Sequence, residues 1–115
     1  MVHVFVSGPY SAETNEGRLK NTENAIAAGE ELASLGFVPF IPHLNHWWDS
    51  YFPHEPGFWY AYDLEWLERC DCLLRLDGES VGADFEVETA IKLNKPVYYC
   101  IETLRRENDR PKQEE

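Results

Sequence analysis

Apolar residues along the chain fall into short unbroken runs, separated by longer segments in which they recur every three or four positions. "VHVFV" (2–6) reads as a strand that ends at the turn-forming "SGPYS" (7–11). In 17–35, Leu19, Ala25, Ile26, Gly29, Leu32 and Ala33 recur at helical spacing, and Gly36 is a natural stop. "FVPFI" (37–41) is a second strand, and Pro39, which cannot donate to a ladder, favours an edge position. Residues 42–56 read as a loop, long enough to suggest a functional or lid-like role. Residues 57–69 read as a helix and "DCLLRL" (71–76) as a strand with apolar residues on both faces. "SVGADFEVETA" (80–90) opens a further helix that "NKP" (94–96) ends, and "VYYCI" (97–101) is the fourth strand. The polar stretch 102–115 reads as a short exposed helix that frays into disorder, leaving 1–101 as the domain.

Strands that alternate with helices imply an α/β fold with a parallel sheet and helices on its faces. In such sheets ligands bind beyond the carboxyl ends of the strands. Those ends carry Ser7, Gly8 and Pro9, then His43 and His46 in "PHLNH", then Ser80 and Gly82 in "DGESVG".

Two acids break the helical pattern. In 80–90 the acids Asp84, Glu86 and Glu88 alternate, and at about 100° per residue they cannot share a face. Ala83, Val87, Ala90, Ile91, Leu93 and Asn94 lie on one side; Glu86 falls inside that arc, Asp84 at its margin and Glu88 outside it. In 58–70, Asp63 falls in the middle of the arc formed by Trp59, Tyr60, Tyr62, Leu64, Trp66, Leu67 and Cys70. A buried carboxylate costs several kcal/mol unless it is paired or hydrogen-bonded. An acid in a first helical turn also suits the macrodipole, and Asp63 has a structural alternative in a bond to a buried Tyr or Trp. Capping and catalysis both account for the pattern at this level.

Composition narrows the partners. The chain has 115 residues, 43% hydrophobic and 14% aromatic, which suits one domain. No apolar run approaches the roughly 20 residues of a membrane span, and the N-terminus carries no basic leader. Ten basic against 21 acidic residues give a net charge of −11, which repels a nucleic-acid polymer but not a small ligand. Cys70, Cys72 and Cys100, odd in number and without zinc spacing, fit a reduced, cytoplasmic protein.

"VFVSGPYSA", "PHLNHWW", "YDLEWLERCDCLLRL" and "GESVGADFEVETA", taken in order, resemble the nucleoside 2-deoxyribosyltransferase superfamily, closest to its compact phage and bacterial branch related to deoxynucleotide N-glycosidases. The resemblance implies a flavodoxin-like three-layer sandwich with a four- to five-stranded parallel sheet. It implies chemistry at the N-glycosidic bond of a (deoxy)nucleoside, with Glu86 as nucleophile, Asp63 binding sugar and base, and Tyr10 helping to hold the glutamate. A homodimer or larger homo-oligomer is implied too, and no cofactor. The first loop has no Arg or Lys to hold a 5′-phosphate, although Arg18 and Lys20 follow closely, which favours a nucleoside over a nucleotide.

Other constellations have plainer readings. His43, His46, Asp49 and His54 lack a recognised zinc spacing, so no metal is expected. Trp47 and its aromatic neighbours in 48–62 offer stacking surface for a base, or core and subunit interface. Two alternatives to a transferase remain: hydrolysis of a (deoxy)nucleotide, and a non-catalytic nucleoside- or nucleotide-binding module on the same fold.

Overall fold

The computed structural model describes residues 1–108. β3 (Cys72–Arg75), read as apolar on both faces, and β1 (His3–Ser7) form the centre of a four-stranded parallel sheet. They pair in register from Val4↔Cys72 to Ser7↔Arg75. β2 (Val38–Phe40) lies outside β1 and β4 (Val97–Tyr98) outside β3, giving the order β2-β1-β3-β4. This is the flavodoxin-like order through its fourth strand. Inner strands of such sheets are covered on both faces, so they carry unbroken rather than alternating apolar residues. Pro39 sits on the edge strand: Val38 donates its N–H to Val2 at 2.9 Å, so the position of the missing Pro39 N–H faces the open side.

Helices cover both faces. α1 (Asn15–Ser34) and α5 (Ile101–Glu107) bring Ala25, Leu32 and Leu104 onto Val4, Val6, Cys72, Leu74 and Tyr98. On the opposite face, Leu67 of α3 (Pro56–Arg69) and Ala90 of α4 (Val81–Lys92) pack with Cys70 against Phe5 and Leu73. The three-layer sandwich expected from the sequence is the observed fold. Side-chain caps set two helix starts: Thr14 Oγ1 accepts the Gly17 N–H at 2.9 Å, and Ser80 Oγ accepts the Ala83 N–H at 3.0 Å.

Three segments differ from their sequence reading. Residues 42–51 are not loop: a 3-10 turn (Pro42–Leu44) runs into α2 (Asn45–Tyr51). The only buried side chain of α2 is polar, Asn45, so it has no apolar stripe to detect. The fourth strand is two residues long, because the chain turns into α5 at Ile101. Leu104 in α5 is fully buried, so the start of the polar tail packs onto the sheet rather than standing in solvent. The expected fraying beyond it lies outside the described residues.

Two glycines differ in what holds them. Gly36 (φ 95°) ends α1, where the Phe37 N–H reaches back to Leu32 O at 3.0 Å, and a Cβ there would meet nothing. Gly78 (φ 114°) lies in the β3–α4 turn, where a Cβ would come within 2.8 Å of the Pro9 ring. The β1–α1 and β3–α4 loops are thus pressed together at the carboxyl end of the sheet. Gly36→Ala is expected to cost about 1 kcal/mol from backbone strain alone, and Gly78→Ala roughly 2–3 kcal/mol because steric conflict adds to it. Urea denaturation of both variants measures the difference; equal losses would show that the Pro9–Gly78 contact restrains nothing.

Candidate active site

A cavity of about 510 Å³ opens at the carboxyl ends of β1 and β3. Its walls come from the β1–α1 loop (Gly8, Pro9, Tyr10, Ser11), the segment after β2 (Pro42, His43, His46), Asp63 of α3, and the stretch from Glu79 through Ser80, Val81, Gly82 and Ala83 to Glu86. This is the crevice where parallel sheets of this order bind ligands.

Helical spacing explains how two acids reach it. Glu86 lies three residues after Ala83 and four before Ala90, both buried, so the α4 stripe that packs inward carries it to the cavity. Asp63 lies one turn before the buried Leu67 on α3. Asp84 and Glu88 are exposed. Ile91 and Leu93, placed on the inward arc by periodicity, are also exposed, because the buried stripe is narrower than the apolar one.

Each carboxyl group has one neutral hydrogen-bond donor. Ser7 Oγ, wholly buried at the end of β1, donates to Glu86 Oε1 at 2.7 Å. Asn45 Nδ2, on α2, donates to Asp63 Oδ1 at 2.7 Å. Burial pushes Glu86 up to about 7, against the Ser7 bond and the Arg75 charge, which favour the ionised form. Burial also pushes Asp63 up to about 7, and the nearby negative charge of Glu86 adds to the shift while Asn45 opposes it. One charge between the two carboxyls is therefore the favoured state near neutral pH, with Glu86 the better equipped to carry it.

The histidines form a neutral wall. Burial lowers both His43 and His46, leaving the rings uncharged at pH 7. His43 Nε2–H donates to Pro9 O at 3.1 Å, and its Nδ1 has no partner among the described residues. The Tyr10 ring stacks on His46 with centroids 3.4 Å apart, so the donor that holds Glu86 is Ser7 rather than Tyr10.

The structure thus gathers Gly8, Pro9, Tyr10, His43, His46, Asp63, Ser80, Gly82 and Glu86 around one cavity, with Ser7 directly behind Glu86. Trp47 is outside the lining and 69% exposed. Trp48, Phe58, Trp59 and Tyr62 pack edge-to-face between α2 and α3, where Trp59 Nε1–H donates to Asp49 at 2.7 Å. Among the described residues no group of three His, Cys, Asp or Glu is placed to hold a metal ion. Burial pushes the Cys70 and Cys72 thiols up to about 11 and about 12, so neither is a ready nucleophile.

Sequence reading passed over Asn45, Arg75 and Glu79. Arg75 had a signal, a cation inside a strand otherwise apolar on both faces; Asn45 and Glu79 had none beyond their neighbourhood.

No protein-family model matches the chain, and no curated protein matches it. Among solved structures, the 2-deoxyribosyltransferase of the psychrotolerant bacterium Bacillus psychrosaccharolyticus aligns with a TM-score of 0.61. The alignment covers 84% of this chain and 69% of that one at 23% identity, a likeness that shows a shared fold.

Both acids are raised on folding, so the folded state binds more protons than the unfolded one between about pH 4 and 7. Their burial therefore lowers stability as pH rises through that window. Glu86→Gln is expected to be more stable than wild type by roughly 1–3 kcal/mol at pH 8, and close to it at pH 4. Urea denaturation at both pH values checks this; a variant less stable at pH 8 would mean the Glu86 charge is fully compensated.

Proposed function

We propose that this cavity cleaves the N-glycosidic bond of a (deoxy)nucleoside and passes the sugar to a second base or to water. The observation that supports this most is the pair of carboxyls on separate helices, facing one cavity where burial pushes both up to about 7. The shared fold with a 2-deoxyribosyltransferase supports it as well. In the first step a Glu86 carboxylate oxygen attacks the anomeric carbon. The C–N bond breaks with its electron pair moving to the base, and the Asp63 carboxyl proton goes to that base. Charge on the sugar ring peaks in an oxocarbenium-like transition state beside the carboxylate. In the second step an incoming base or water attacks the anomeric carbon, Glu86 leaves as carboxylate, and Asp63 takes up the proton released. The flat Tyr10–His46 pair is the wall on which a base would rest.

The lining favours a nucleoside over a 5′-nucleotide. It carries three acids, Asp63, Glu79 and Glu86, and no Lys or Arg. Arg18 is turned away: its guanidinium donates to Ala12 O at 2.8 Å and to Asn15 Oδ1. A phosphate dianion would meet like charge with no counterion.

Incubation with a deoxynucleoside and a different free base tests the reading. Exchanged base supports transfer, released base alone supports hydrolysis, and neither would leave a binding module. Glu86→Gln is expected to lower the rate at least about a thousandfold, and Asp63→Asn about a hundredfold, with folding intact; full activity in Glu86→Gln would remove it as nucleophile. Because Glu86 must be ionised and Asp63 protonated, kcat/KM is expected to rise and then fall with pH, peaking near 7. A flat profile from pH 5 to 9 would contradict the acid–base assignment.

A further inference from the structure

We propose that Arg75 is a positioning residue for this site: a buried guanidinium, partly neutralised by Asp84 at the surface, that clamps the β3–α4 turn and holds negative charge on Glu86. The inference rests on the reading of Glu86 as nucleophile. Arg75 does not line the cavity; it lies behind it, on a second concavity with Asp77, Gly78, Asp84 and Tyr99.

Its placement follows from the sheet. Arg75 is the last residue of β3 and pairs in register with Ser7, the residue that donates to Glu86. The side chain is 10% exposed, whereas its ion-pair partner Asp84, at 2.9 Å, is 68% exposed. A cation so buried with a solvated partner keeps much of its field inside the protein. Arg75 also donates to Gly78 O at 2.9 Å and to Leu76 O, which fastens the turn leading into the Ser80 cap. Asp84 lies in the first turn of α4, so one guanidinium anchors both the turn and the helix start, while the strand pairing sets it beside Ser7, the donor to Glu86.

The groups around Glu86 show why a cation is needed. Ser7 on β1 gives one neutral hydrogen bond. Asp63 on α3 and Glu79 from the turn share the cavity and are acidic. His43 and His46 are neutral at pH 7. On its own helix, Asp84 and Glu88 are acidic and exposed. Arg75 is the cation among these neighbours, consistent with its effect in favouring ionised Glu86.

Glu86 can be titrated directly by NMR of carboxyl-labelled glutamate, without any turnover. In Arg75→Gln the Glu86 midpoint should rise by about one pH unit. In Arg75→Lys it should stay within a few tenths of wild type, while KM rises because an ammonium cannot reproduce the guanidinium fork. In Asp84→Asn, a surface change that keeps the fold, the midpoint should fall by about half a unit. The acid limb of kcat/KM should move with each midpoint, so that at pH 6 Arg75→Gln loses roughly tenfold and Asp84→Asn gains about two- to threefold. An unmoved Glu86 midpoint in both Arg75→Gln and Asp84→Asn, or a rise in Asp84→Asn, would overturn the proposal. Midpoints that shift as expected without any change in rate would instead count against Glu86 as nucleophile and leave the Arg75 effect standing.

Discussion

Two carboxyl groups share one cavity, and the protein compensates only part of their charge. Glu86 receives a 2.7 Å hydrogen bond from Ser7, and Asp63 one of the same length from Asn45. Fully ionised, the pair would be two like charges out of water, each short of the bonds that make buried carboxylates stable. Fully protonated, it could supply an acid but no nucleophile. The state with one proton between them has the lowest cost near neutral pH and, on the proposed reading, is the reactive one. The Ser7 hydrogen bond and the Arg75 charge favour the ionised form of Glu86.

That constraint explains features that stability alone does not ask for. A central strand of a small sheet ends in a buried serine and its neighbour in a buried arginine, where further apolar side chains would pack with less desolvation. The inward stripe of α4 carries Glu86, and the one buried residue of α2 is an asparagine. Each of these sits at the carboxyl edge of the sheet, and none at the opposite edge. Core packing through Phe5, Leu67, Leu73 and Leu74 carries the fold, so that this edge can hold unfavourable groups.

How much was legible follows the same division. Buried parallel strands announce themselves as unbroken apolar runs, so β1 and β3 were readable, and Pro39 marked its strand as an edge. Glu86 and Asp63 stood out because a carboxylate on an apolar helical face is anomalous against a regular background. What escaped lacked that background. α2 buries a polar residue and leaves its tryptophans half in solvent, so no 3.6-residue apolar period exists to find. The α5 packing rests on Leu104 within a charged sequence. Asn45 reaches Asp63, and Glu79 the cavity, only through tertiary placement. Arg75 was visible as a cation in an apolar strand, but its partners, the Gly78 carbonyl and Asp84, lie on a turn whose path the sequence does not specify and on the helix that follows it.

The most direct test of this account is mass spectrometry of protein quenched in acid during incubation with a deoxynucleoside. A glycosyl ester on the peptide carrying Glu86, diminished when a free acceptor base is added, is the predicted result. An adduct on a different residue, or undiminished turnover by Glu86→Gln, would contradict it.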